Sequence, residues 1–248
     1  MRRSILLFGI AAVTGACGPA PIEAVTLAPA SVGRGLVAHW TLDDGAGTTV
    51  ADQSGNGHQG TLTGGSWVPR GRFGGALMLA TGNFVAVQNF PQATPSWTVS
   101  VWTYVTEPDL HGQETLLSNE DVFAGGWQLH LDDRVGYTQF DTAYWVDAPV
   151  NDYVVLGCNC IDTGVWIHLT AVFDAAVSRL SFFRDAVAVG QVAMPHVILP
   201  GDSILYFGKW NQNERLFSGL LDDVAIWSRA LSPDEINLIT TNPVPAPQ

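Results

Sequence analysis

Short runs in which apolar and polar side chains alternate carry most of the pattern in this chain. In Trp97–Val105 (WTVSVWTYV), Trp97, Val99, Val101, Thr103 and Val105 fall on one face, and Thr98, Ser100, Trp102 and Tyr104 on the other. Period two in β-branched and aromatic residues is the signature of a half-buried strand. Comparable runs occupy residues 36–42, 76–79, 84–87, 115–118, 127–131, 165–173, 179–183, 203–207 and 220–227, and Gly, Asn, Asp and Pro break them at short intervals. Many short strands joined by Gly-rich turns predict an all-β sandwich or barrel. One helix is written into the end of the chain. Ser232 supplies an N-cap, Pro233 the first helical position and Glu235 the other half of a capping box. The helix is expected to run to about Ile239, with Ile236 and Ile239 inward, and to stop at Asn242-Pro243.

The first residues follow a different rule. Arg2 and Arg3 precede an apolar run over residues 4–13, and Thr14, Gly15 and Ala16 lead into Cys17. That is a signal peptide, too short to span a bilayer of ~30 Å as a helix. Small residues directly before a cysteine resemble a bacterial lipobox, with Thr14 where a Leu is usual. The expectation is removal of residues 1–16 and lipidation of Cys17. Acyl chains contribute ~0.8 kcal/mol per buried CH₂ to membrane anchoring. Residues 17–35, rich in Pro and Ala, read as a flexible tether. The domain is expected over residues 36–241, and 242–248 as a disordered tail. The location is then the cell envelope, lipid-anchored at the outer membrane, or secreted.

Charge narrows the partners. Of 11 Lys and Arg, two leave with the signal, so nine remain against 23 Asp and Glu. So acidic a surface argues against nucleic acid, and against any membrane contact except through the lipid.

The motifs then become specific. Leu36-Val37-Ala38-His39-Trp40-Thr41-Leu42-Asp43 is followed by the turn Asp52-Gln53-Ser54-Gly55-Asn56-Gly57, and then by Phe73-Gly74-Gly75-Ala76-Leu77. Trp97-Thr98-Val99-Ser100-Val101-Trp102 and Trp166-Ile167-His168-Leu169-Thr170 come next. The series closes on Gly219-Leu220-Leu221-Asp222-Asp223-Val224-Ala225-Ile226-Trp227-Ser228-Arg229-Ala230-Leu231. In this order they resemble the laminin-G-like, concanavalin-A-like jelly-roll domains, over roughly residues 36–239. The resemblance implies a jelly-roll β-sandwich of two antiparallel sheets with one short C-terminal helix. Two departures stand out. Leu79-Ala80-Thr81 replaces a usual F-D-G, and Phe183-Arg184-Asp185-Ala186 replaces Y-x-D-G. Ala resists positive φ, so the second turn is expected to change. Residues 139–160 match nothing in the family and read as a variable loop.

The resemblance also implies a structural Ca²⁺, with Asp52 and Asn56 of the turn approaching Asp222 of the last strand. A hydrogen-bonded turn without metal is the competing expectation. Asp222 and Asp223, consecutive on a strand, are expected to point to opposite faces. Cys158 and Cys160, in Gly157-Cys158-Asn159-Cys160, are expected to form a small-loop disulfide in an oxidising compartment.

Catalytic patterns are weak. Glu107-Pro108-Asp109 begins the paired-acid strand pattern of glycosidases, but Gly112 holds the third acidic place and Pro108 disfavours a central strand. Neither H-E-x-x-H nor G-x-S-x-G occurs. His168 reads as a satisfied core residue. Of nine Trp, Trp40, Trp97, Trp166 and Trp227 sit in strand motifs and are expected in the core. Tyr144, Trp145, Trp210 and Asn211 sit in loop-like contexts beside polar residues, where an aromatic face suits the apolar face of a pyranose. The sequence therefore predicts a non-catalytic surface lipoprotein that binds a glycan or a cell-surface protein. A glycoside hydrolase or lyase on the same fold, and a structural or adhesion component, are the alternatives.

Overall fold

The computed structural model describes residues 30–106, 112–121, 125–132, 139–143, 153–157, 162–194, 198, 200–212 and 214–245. Cys17, Tyr144, Trp145, Cys158 and Cys160 lie outside these residues. After a one-turn helix, α1 (Ala30–Gly33), come β1 (Leu36–Trp40), β2 (Thr49–Val50), β3 (Gly60–Thr63), β4 (Ser66–Val68), β5 (Ala76–Leu79) and β6 (Phe84–Val87). The middle of the chain gives β7 (Trp97–Val105), β8 (Gln113–Ser118), β9 (Gln128–Asp132), β10 (Gln139–Ala143) and β11 (Tyr153–Gly157). Then follow β12 (Trp166–Asp174), β13 (Arg179–Arg184), β14 (Val187–Ala193), β15 (Leu205–Phe207), β16 (Gly219–Trp227) and α2 (Pro233–Thr241).

Two antiparallel sheets face each other. One has the order β14-β13-β12-β7-β16-β5-β4, with β1 also on β16; the other has the order β2-β3-β6-β15-β8-β9. The strand alternation seen in the sequence decides which side chains meet between them. Trp97, Val99, Val101 and Val105 of β7 join Trp40, Leu129, Phe207 and Ile226 in the central core. Burial of apolar surface at ~25 cal/mol per Å² holds the two layers together. The opposite face of β7 is covered as well. Val32, Trp227, Leu231, Ile236 and Ile239 form a second cluster where α1 and α2 lie on the outer face of the larger sheet. Among the described residues no helix is long and apolar enough to cross a membrane.

The capping box of α2 forms as written. Ser232 Oγ accepts from Glu235 N, and the Glu235 side chain accepts from Ser232 N. Arg229 adds a two-pronged ion pair to Glu235 at 2.8 Å. That bond and the helix-end N–H outweigh burial and hold the Glu235 carboxyl below its usual range.

Several expectations need correction. The tether ends sooner than residue 35: Val32 is buried, and its carbonyl accepts from Trp227 Nε1 at 2.7 Å. The tail is ordered at its start, because Val244 is buried and its N–H donates to Asp223 Oδ2 at 3.2 Å. Trp166 is half-buried and packs edge-on to Tyr104 rather than in the core. Asp222 and Asp223 do not straddle the sheet. The register slips between Asp222 and Ala225, and Asp223 takes φ 46°, so one extra residue bulges and both carboxylates leave the core. Leu221 and Val224, on either side, point inward. Finally, the Arg184-Asp185-Ala186-Val187 turn keeps the hairpin geometry that Gly would give. Asp185 and Ala186 sit at φ 50° and 64°, and Asp185 Oδ1 accepts from His168 N at 2.9 Å.

Candidate functional site

Three segments far apart in sequence meet at one end of the sandwich. They are the β5–β6 turn, the start of β8, and the loop between β15 and β16. Between them lies a cleft of about 420 Å³, lined by Thr81, Gln113, Glu114, Glu214, Arg215, Leu216 and Ser218. That volume is within the usual range of small-ligand sites, ~300–1,000 Å³. The cleft is at the far end of β16 from the entering chain. Ser218 precedes Gly219, the first residue of β16, whereas Leu36 pairs with Trp227, its last. Nine residues of strand separate the two ends by roughly 26–30 Å.

The long loop is fixed to the sheet at its neck. Gly208 N donates to Leu116 O, Phe217 N to Gly208 O, Trp210 N to Glu214 O and Thr115 N to Arg215 O. Gly208 has φ 84°, and a Cβ there would meet Leu79 and the Asn83 carbonyl, so only glycine allows the loop to turn this closely. Arg215 takes φ 53°, a conformation that costs a non-glycine residue roughly 1–2 kcal/mol. Its guanidinium lies over the Trp210 ring at 4.3 Å from the centroid. Stacked this way, the planar donors of Arg215 are held in place at the cleft. Glu114 is buried, and Glu114 Oε2 accepts from Ser218 N at 3.2 Å.

The outer face of the smaller sheet adjoins the cleft. Phe84 and Tyr206 meet edge to face, and Lys209 Nζ lies 4.3 and 4.2 Å from their ring centres. Burial lowers the Lys209 ammonium from its ordinary value; burial, helped by Asp202, raises the Tyr206 phenol.

Trp210 is 9% exposed, and one ring face already carries Arg215, so it does not offer the open platform expected of it. Its Nε1 and the Oδ1 of Asn211 are buried without partners among the described residues. Gln113, Glu214 and Arg215 were not singled out from the sequence. No local motif joins them; only the folded loop does.

The three residues expected to share calcium each have hydrogen-bond partners of their own. Asp52 Oδ1 accepts from His39 N and Ser54 N, and Oδ2 from Ser54 Oγ and His58 N. Burial alone would raise this carboxyl, but those donors together hold it below its usual range. Asn56 turns its Nδ2 to the carbonyls of Leu36 and Val37. Both residues are thus turn braces on β1, Asp52 through the donors on its carboxylate oxygens and Asn56 through its amide N–H groups. Asp222 lies elsewhere. His39, whose N–H donates to Asp52, pairs with Ala225, and across the bulge Asp222 is two ladder positions further along β16, roughly 7 Å in backbone.

Asp222 has the better donor set where it is. Its Oδ2 accepts from Arg72 N at 2.6 Å and Phe73 N at 2.9 Å, while its Oδ1 is buried without a partner among the described residues. Burial is the main cause that pushes its pKa up to about 7, with Asp223 and Asp43 adding to it. Asp43 Oδ1 accepts from Gly75 N across the same turn. A Cβ on Gly71 would run into Asp222 Oδ2, and one on Gly74 into Asp43 Oδ1, so glycines let the turn close over both carboxylates. Asp43 and Asp222 thus face the same turn, and among the described residues no group of three or more His, Cys, Asp or Glu side chains is placed to hold a metal ion.

Comparison with known proteins follows the geometry. The Laminin_G_3 family model, described as the concanavalin A-like lectin/glucanases superfamily, matches residues 79–237. Among solved structures, the binding domain of Paraclostridial Mosquitocidal Protein 1 superposes with a TM-score of 0.68 at 18% identity, over 84% of this chain and 52% of that one. The chain thus spans about half the length of that binding domain. Domain 4 of AbnA, a GH43 extracellular arabinanase from Geobacillus stearothermophilus, solved with arabinotriose, gives 0.65 at 19%, over 83% of this chain and 98% of that one. The botulinum neurotoxin serotype D ligand binding domain, solved with N-acetylneuraminic acid, gives 0.65 at 17%, over 86% and 52%. At these identities the likeness is one of fold. No curated protein matches the chain in sequence.

Proposed function

Because this chain belongs to the concanavalin A-like lectin/glucanase superfamily, we propose that it is a non-catalytic domain that binds a carbohydrate in the cleft between β8 and the β15–β16 loop. The observation that carries this reading is the composition of the cleft. Gln113, Glu114, Glu214, Arg215 and Ser218 combine carboxylate acceptors, guanidinium and amide donors and a hydroxyl around one opening of ligand size. A sugar is recognised by such a set, since each of its hydroxyls both donates and accepts. Solved relatives of the fold with arabinotriose and N-acetylneuraminic acid support the ligand class.

The first residues give the setting. Arg2, Arg3, the apolar run and Cys17 support an exported chain, lipid-anchored at the outer membrane or secreted. Anchored there, the domain holds its cleft at the end away from the entering chain. A glycan array probed with the soluble chain from residue 30, in the presence and absence of Ca²⁺, tests the binding reading. Binding to a defined glycan family that is lost in R215A supports it; no glycan bound under either condition refutes it.

A second reading is favoured by one feature. Glu114 and Glu214 both line the cleft, and a pair of carboxylates is what a glycosidase uses. Release of reducing ends from a bound oligosaccharide, abolished in both E114Q and E214Q, would establish hydrolysis in place of simple binding.

A further inference from the structure

Resting on the glycan-binding reading of the cleft, we infer that the site continues round the rim of the sandwich onto the outer face of the larger sheet. A linear oligosaccharide is held by both parts, and a short one by the cleft alone. The continuation is a row of four side chains set by register. Trp166 of β12 pairs with Tyr104 of β7, Tyr104 with Leu220 of β16, and Leu220 with Met78 of β5. All four point away from the core, because their neighbours Ile167, Val105, Leu221 and Leu77 point into it. Tyr104, Leu220 and Met78 are each the one residue of their strand that is not buried, and Trp166 is half-buried. Helix α2 and its lead-in occupy the same face further along, at Thr98 and His168, and leave this row part-exposed.

The chemistry of the row suits a sugar chain. Trp166 and Tyr104 meet edge to face with ring centres 5.6 Å apart, and neither the indole N–H nor the phenol O–H has a hydrogen-bond partner among the described residues. Aromatic rings with a polar tip pack on the apolar face of a pyranose and bond to its hydroxyl rim. Arg72 is exposed beside the row, its guanidinium 4.4 Å from the Trp102 ring centre and 4.8 Å from that of Phe73, so its donors are held in a set position. Two segments lead from cleft to row. Ser218 lines the cleft and Leu220 lies two residues on; Thr81 lines the cleft and Met78 lies three residues back. From Ser218 to Trp166 the path runs two residues along a strand and two strands across, roughly 12 Å. A disaccharide seated in the cleft falls short of Trp166, and a longer chain reaches it.

The experiment varies ligand length. Titration calorimetry on the chain from residue 30 compares linear arabino-, xylo- and cello-oligosaccharides of two, four and six units. In a series that binds, the six-unit member is expected to bind about tenfold tighter than the two-unit member. That ratio falls to about threefold or less in W166A and in R72Q, because each removes a contact that only the longer chain makes. Circular dichroism and the melting temperature establish that both variants fold; Arg72 is exposed, so R72Q keeps the test open if W166A does not. Equal affinity at every length, or a ratio unchanged in both variants, overturns the continuation and leaves the cleft reading standing. Absence of binding in all three series overturns the continuation, and absence on the glycan array as well overturns the cleft reading with it.

Discussion

Lowering the pH from 7 to 4 asks His168 to accept a proton, and the structure leaves it no favourable way to do so. The imidazole is buried between the larger sheet and α2. Thr240 Oγ1 gives its hydrogen to Ile236 O, so at 2.7 Å it accepts from His168 Nδ1; Nε2 then accepts from Ser100 Oγ at 2.6 Å. Both nitrogens are used by the neutral ring, and a proton on Nε2 would face the Ser100 hydroxyl hydrogen. Burial first, and the nearby Arg72 charge second, lower the pKa of His168 from 6.5 to about 3.

The sign follows from linkage. An unfolded histidine takes up its proton near pH 6.5, whereas the folded one resists until about 3. The stabilisation is complete above 6.5 and is lost as the pH falls from there to about 3. At ~1.4 kcal/mol per unit, the loss is on the order of 3 kcal/mol by pH 4 and 5 kcal/mol in full. Domains of this size have ~5–15 kcal/mol in hand, so the effect is measurable. H168Q keeps one donor and one acceptor but cannot take up a proton. It is expected to cost ~1–3 kcal/mol at pH 7, through lost contact with Trp102, whose ring centre is 4.8 Å away. Urea unfolding followed by tryptophan fluorescence at pH 7, 5.5 and 4 gives the comparison. Carboxylates such as Asp52 and Glu235 lose stabilisation in acid in both proteins, so the difference between wild type and H168Q isolates the histidine. An equal loss in the two proteins between pH 7 and 4 would refute the reasoning.

Two further perturbations follow from single residues. Asp222 is an acid whose folded pKa is raised to about 7, so its contribution is favourable at low pH and is lost as pH rises from about 4 through 7. D222N should therefore raise the melting temperature at pH 8. Millimolar Ca²⁺ should raise it in the wild type at pH 8, less at pH 5 where the proton competes, and not at all in D222N. Identical melting with chelator and with Ca²⁺ at pH 8 would remove calcium from the account. Ala186 occupies φ 64°, so A186G is expected to stabilise by ~0.5–1 kcal/mol, or about 1–4 °C, in thermal unfolding. A lower melting temperature would contradict the strain assigned to that turn.

Legibility in the sequence followed the range of the interactions. Alternation within nine residues placed the faces of β7, and four residues around Ser232 sufficed for the helix start. Strand β14 escaped because Gly190 and Gln191 interrupt the pattern. The bulge at Asp223 depends on pairing with β7 and β1, which no single strand records. The lone pairs of Asp52 accept from β1 and its own loop, contacts that the D-x-S-G-N-G motif does not spell out. The Trp210 segment stood out by composition. Its role was hidden, because Arg215, Glu114 and Gln113 reach it only through the loop neck at Gly208 and Thr115. Polar sites assembled from loops leave no periodic trace.

The central claim is that the cleft between β8 and the β15–β16 loop holds a sugar. Backbone amide shift mapping by NMR, during titration with a neutral oligosaccharide that binds, tests it most directly. The account predicts that the largest perturbations gather at Thr81, Gln113, Glu114, Arg215 and Ser218. Perturbations centred instead on the groove of Arg179, Ser181, Phe183 and Gln191, on the other sheet, would contradict it.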